Sequence, residues 1–133
     1  MTAEEYQDHT VITAPQALTG AFVNLGSPIK MLGWDEMAVY TKVTDNDSTA
    51  IQMAVYGLIR EGGGEYMLPI ANIGETKTTL KHLIYEFSET NADMLYRIRV
   101  RGIPWIQLKV KGTGNAPTPG TIDSCIVYCT ARL

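Results

Sequence analysis

The residues able to do chemistry are few. His9 and His82 are the only histidines, and Cys125 and Cys129 the only cysteines. No H-x-x-x-H, C-x-x-C or H-x-E spacing is present, which argues against a zinc site. No G-x-S-x-G elbow supports a Ser-His-Asp triad. Gly62-Gly63-Gly64-Glu65 lacks the Lys-Ser/Thr ending of a phosphate-binding loop and reads as a hairpin tip. Asp45-Asn46-Asp47-Ser48-Thr49-Ala50 begins like a calcium loop. It has Ala50 where the sharp turn needs glycine and Tyr56 where the bidentate Glu belongs, so it reads as a turn. A cysteine nucleophile needs a base and an electropositive, partly open pocket. On a strand, Cys125 and Cys129 share a face about 13 Å apart, at about 3.3 Å per residue. A disulfide needs Cα atoms within about 7 Å, so buried reduced thiols are expected. No enzyme activity, catalytic residue, metal or cofactor is expected.

The informative charges lie in Met94–Arg101 and Trp105–Lys111. Tyr96, Ile98 and Val100 alternate with Arg97, Arg99 and Arg101; Ile106, Leu108 and Val110 alternate with Trp105, Gln107, Lys109 and Lys111. A three-residue turn, Gly102-Ile103-Pro104, would pair the two runs as a hairpin with apolar side against apolar side. Arg101 would then oppose Trp105, Arg99 would oppose Gln107 and Arg97 would oppose Lys109. Like charges directly opposite are unfavourable. Arg97, Arg99, Arg101, Trp105, Lys109 and Lys111 are therefore the candidate protein interface, a face suited to acidic protein. The competing expectation is a solvated face neutralised by Asp or Glu of a neighbouring strand.

These residues must be held by strands. The 133-residue chain suits one domain with its own core. Its 45% hydrophobic and 19% charged residues are those of a globular protein, and it is rich in Thr, Val and Ile with 12 Gly and 6 Pro as punctuation. The formal charge of -3 argues against a dedicated nucleic-acid binder, and no apolar run reaches the ~18 residues of a membrane span. The acidic start, Met1-Thr2-Ala3-Glu4-Glu5, lacks the basic and apolar regions of a signal peptide, so synthesis and initial retention in a cytoplasm are expected.

Residues 1–15 read as an extended N-terminal arm and 16–133 as the domain. Short strands are expected at Thr10–Ala14 and Ala21–Leu25, the second ending at a Gly26-Ser27-Pro28 turn. Glu36–Thr44 alternates cleanly, with Met37, Val39, Thr41 and Val43 on one face. Ser48–Arg60 is apolar on both faces and reads as a central strand, with Gly57 marking a bulge or close approach. Glu65–Leu68 pairs back to it, and residues 74–78 are a loop. Thr79–Phe87 fits helix and strand alike; its strand-rich neighbours favour strand. A long Gly/Pro loop spans 112–120. Thr121–Ala131 is the last strand, with Ile122, Ile126 and Tyr128 on one face and Cys125, Val127, Cys129 and Ala131 on the other. The sum is an all-β, single-domain antiparallel β-sandwich, jelly-roll-like, of eight or nine strands.

The run Gln16-Ala17-Leu18-Thr19-Gly20-Ala21-Phe22-Val23-Asn24-Leu25-Gly26-Ser27-Pro28-Ile29 is followed by Gly33-Trp34, Asn46-Asp47-Ser48-Thr49 and Glu65-Tyr66-Met67-Leu68-Pro69-Ile70. Ile106–Val110 and Gly120-Thr121-Ile122-Asp123-Ser124 complete the order. Over residues 16–130 it resembles small structural proteins of tailed bacteriophage virions, of the decoration, cement or head–tail accessory kind. The resemblance implies a compact sandwich that completes a capsid, neck or tail, with the major capsid protein or other virion proteins as partners. It also implies a homo-oligomer, trimeric by preference, and a place in the virion after assembly in the host cytoplasm. It carries no binding residues; the basic face comes from the charge pattern alone.

Two other functions fit the composition. A carbohydrate-binding sandwich would need exposed, coplanar aromatics around Trp34 or Trp105, with Tyr40 and Tyr56 as further candidates. A small hydrolase would need a pocket bringing His9 or His82 to a Ser or Cys.

Overall fold

Period-two alternation sets which side of each strand is buried, and here it assigns two inner faces that close on each other. The computed structural model describes residues 4–45, 50–67, 69–70, 81–82, 84–87, 93–112 and 120–132. Its extended segments are β1 (Glu4–Thr10), β2 (Gln16–Ala17), β3 (Val23–Lys30), β4 (Glu36–Asp45), β5 (Ile51–Leu58) and β6 (Glu65–Met67). They continue with β7 (Pro69–Ile70), β8 (Lys81–His82), β9 (Ile84–Phe87), β10 (Asp93–Arg99), β11 (Trp105–Gly112) and β12 (Gly120–Arg132). Sheet A has the order β1-β12-β4-β10, with β2 also on β12; sheet B has the order β3-β11-β5-β6, with β9 also on β5. A small third sheet joins β7 and β8. All pairings are antiparallel.

The chain changes sheet at nearly every step: β2 in A, β3 in B, β4 in A, β5 in B, then β9 in B, β10 in A, β11 in B and β12 in A. This is jelly-roll connectivity. The core lies between the sheets. Sheet A contributes Met37, Val39, Val43, Tyr96, Ile98, Val100, Ile122, Cys125, Val127 and Cys129; sheet B contributes Leu25, Ile29, Ile51, Met53, Val55, Ile106, Leu108 and Val110. Thr41, also on the inner face of β4, donates its hydroxyl to Cys125 Sγ at 3.7 Å. The all-β sandwich read from the sequence is the observed fold.

Four local readings are corrected. First, Met94–Arg101 and Trp105–Lys111 are strands but not partners: β10 pairs with β4, and β11 with β3 and β5. The turn 100–104 bridges the sheets, closed by Ile103 N–H donating to Val100 O at 2.9 Å and anchored by Met31 N–H donating to Pro104 O at 2.7 Å. The two apolar stripes meet across the core instead of side by side.

Second, Gly26-Ser27-Pro28 is not a strand end. It is a bulge inside β3, where these three residues lie opposite the single residue Gln107. Gly26 has φ +66°, and a Cβ there would overlap the carbonyl oxygen of Val11. Third, β12 is bulged between Ile122 and Ser124. The extra residue, Asp123, resets the alternation, so Ile122 is buried on the same side as Cys125 and Val127. Fourth, the strand expected at Thr10–Ala14 instead occupies Glu4–Thr10. Of the two alternatives for Gly57, the bulge is excluded, because the register of β5 with β11 runs unbroken through it.

β5 is central in sheet B, β6 pairs back to it, and the ambiguous segment is extended, as β8 and β9. β1, within the expected arm, and β2, at the start of the expected domain, lie in succession along one side of β12. The expected turn at 46–49, the loop 74–78, residues 79, 80 and 83, and the loop 113–119 lie outside the described residues.

Candidate interaction surface

The six candidate interface residues fall on two sheets. Arg97 and Arg99 lie on β10 and Arg101 follows it, all exposed on the rim of sheet A. Trp105, Lys109 and Lys111 lie on β11 with their side chains on the outer side of sheet B, each half-buried. The face expected to unite them is therefore two surfaces.

On sheet A, the arginines meet the start of β4. Arg97 Nη1 is 3.7 Å from Glu36 Oε1, and Arg101 Nε is 3.6 Å from Asp35 Oδ1. Arg99 has no ion-pair partner among the described residues. The three line a hollow of about 520 Å³ with Asp35, Glu36, Thr130 and Ala131. Charges this exposed attract one another only weakly in water.

On sheet B the lysines are spent within the chain. Lys109 Nζ is 2.7 Å from Glu65 Oε2 and 5.0 Å from the Tyr56 ring centre; Lys111 Nζ lies 4.9 Å from the Phe22 ring centre. Trp105 sits opposite Lys30 and Leu58, away from Arg101 in register. Gln107, expected on the outer charged face, is buried. Its Nε2 donates to Leu108 O on its own strand at 2.8 Å and to Gly26 O in the β3 bulge at 3.3 Å.

The outer face of sheet A carries a feature that single-strand patterns did not expose. Thr10, Ile126, Tyr40 and Leu95 are successive register partners across four strands. Leu95 is 59%, Tyr40 47% and Ile126 41% exposed, an apolar row beside the arginines. Tyr40 points outward by simple alternation; the row becomes visible only with the strand order. Beyond it, Tyr6 stacks on Tyr128 with ring centres 5.7 Å apart.

The thiols are enclosed. Cys125 and Cys129 are free and buried, as expected. Burial pushes each thiol up to about 11; the Thr41 hydroxyl opposes this at Cys125, and the Asp8 carboxylate adds to it at Cys129. Such thiols are poor nucleophiles. His9 Nε2 is buried on β1 with no hydrogen-bond partner among the described residues. Trp34 is half-buried against the core, and Trp105 half-buried on β11.

The fold is thus a jelly-roll sandwich presenting charged and apolar outer surfaces. No protein family matches the chain, and no curated protein matches it in sequence. Solved structures match it over its whole length. The SPBc2 prophage-derived protein YomS superposes with a TM-score of 0.54 at 16% identity, covering 98% of this chain and 97% of that one. A subunit from Bacillus endospore appendages, described as a family of disulfide-linked pili, gives 0.53 at 10% identity, covering 100% and 91%. A chain of infectious bursal disease virus, Gx strain, gives 0.51 at 15% identity, covering 97% of this chain but 32% of the viral one. At these identities the likeness is one of fold.

Proposed function

We propose that this chain is a non-enzymatic structural protein of a virion, and more narrowly a capsid decoration or cement protein of a tailed bacteriophage. It stabilises the particle through repeated contacts with the major capsid protein and acts as a homo-oligomer, with three-fold symmetry as the expected form. The observation that carries the reading is the end-to-end match with a prophage-derived protein of the same length and fold. The viral-particle neighbours support the same class. The exposed Arg97, Arg99 and Arg101 supply the charged contact surface; Trp105, Lys109 and Lys111 would form a separate contact on sheet B.

A pilus subunit of the disulfide-linked kind has less support. That linkage needs reachable thiols, and the chain's two cysteines are both buried.

The test is binding of the purified protein to phage capsids lacking it. Saturable binding that raises the temperature of capsid disruption is expected. Binding should be lost on Arg97→Glu with Arg99→Glu, at nearly unchanged Tm. Absence of saturable binding to heads, with binding to necks or tails, would move the protein to those positions. Absence of binding to any particle component would overturn the reading.

A further inference from the structure

We infer that copies of this chain associate head to tail through the two rims of sheet A, the basic rim at β10 of one copy receiving the acidic rim at β1 of the next. This rests on the structural role proposed above and names a partner for its arginine rim.

Both rims are open among the described residues: β1 pairs only with β12, and β10 only with β4. A strand at the edge of a sheet is a template on which another strand can pair. The rims differ in sign. β1 carries Glu4, Glu5 and Asp8 and no Lys or Arg, whereas β10 and the residue pair after it carry Arg97, Arg99 and Arg101. Pairing β10 with β10 sets arginine against arginine, and pairing β1 with β1 sets carboxylate against carboxylate. β10 also carries Asp93, which could face Arg97 in one β10–β10 register, but β10 against β1 sets an arginine-bearing rim against a rim with carboxylates and no Lys or Arg.

Strand direction agrees. The four strands alternate in direction across sheet A, so β1 of a second copy placed beside β10 by simple continuation of the sheet is antiparallel to it. The lateral rows fix a register. One row runs Asp8–Tyr128–Ala38–Arg97, and the next Tyr6–Thr130–Glu36–Arg99. Continued into a second copy, they set Arg97 beside the next copy's Asp8 and Arg99 beside its Tyr6. The apolar row of Leu95, Tyr40 and Ile126 extends across the junction. Such a contact joins two different surfaces, so it generates rings or filaments, not closed two-fold dimers.

The experiment uses the purified full chain without particles, so its outcome is separate from capsid binding. Sedimentation velocity across a concentration series should show self-association at low salt that weakens in 1 M salt, where the screening length falls to about 3 Å. Arg99→Glu, which breaks no intrachain ion pair among the described residues, and the triple Arg97→Glu/Arg99→Glu/Arg101→Glu should weaken it about tenfold or more. Glu4→Lys/Glu5→Lys/Asp8→Lys should do the same. Mixing the two triple variants, each unable to associate alone, should restore association. A monomer at every concentration and salt would overturn the inference. So would self-association indifferent to either reversal, or a mixture that stays monomeric.

Discussion

Thr44 Oγ1 donates to Asp123 Oδ2 at 2.6 Å, while Thr121 Oγ1 donates to Asp123 Oδ1 at 2.8 Å, so one carboxylate ties both strands at the point where β12 gains its extra residue. The bulge lets Ile122 and Cys125 both enter the core. Asp123→Ala removes both acceptors from a partly exposed site. A loss of about 1 kcal/mol is expected, read as a shift of the urea midpoint with unchanged slope.

Gln107 is the buried counterpart at the other bulge. Gln107→Leu keeps most of its volume but strips the donor from the carbonyls of Gly26 and Leu108. The expected cost is about 1–3 kcal/mol, larger than for Asp123→Ala, because the Leu108 carbonyl is left buried and the Gly26 carbonyl partly buried. Equal midpoints for Gln107→Leu and the parent would show that the amide is dispensable.

At Gly26 the left-handed backbone and the adjacent Val11 carbonyl act together. Gly26→Ala should lower stability by about 2 kcal/mol or more. Gly33 also has a positive φ, but open space where a Cβ would stand. Gly33→Ala should therefore cost less, and thermal melts of the pair separate backbone strain from steric overlap.

The thiols give a pH signature. Their folded-state values of about 11 lie above the ordinary 9.0, so the folded state favours the neutral form. The unfolded chain begins to lose these protons near pH 9, before the folded chain does. Their contribution is complete below about pH 9 and fades as pH rises toward 11. Cys125→Ser/Cys129→Ser should flatten that part of the stability profile. At pH 8 a thiol reagent should label the native protein only on the timescale of its opening, and mass measurement should show no 125–129 bridge.

Strand positions were legible wherever one face was apolar and the chain unbroken, as in Met37–Val43. Partners were not. The stripes Tyr96-Ile98-Val100 and Ile106-Leu108-Val110 are satisfied equally by lying side by side or by facing each other across the core. Alternation reports only that both are inward. The choice is made by the turn at 100–104, whose backbone bonds reach Met31 and Asp35 on the linker before β4. The bulges were hidden for a related reason: an extra residue changes the phase of alternation, so Ile122 read with Ile126, and Gln107 read as solvated. The basic interface read on one hairpin divides in the same way, because its halves belong to different sheets. The arginine set survives as a cluster; the lysines have Glu65, Tyr56 and Phe22 for company.

β12, the most C-terminal of the described strands, lies between β1 and β4. While residues 120–132 remain inside a ribosome, β1 has no neighbour and β4 lacks its longest one. Sheet A therefore joins only after residues 120–132 have left the ribosome, and a premature stop before residue 120 leaves a chain whose acidic and basic margins belong to no common surface.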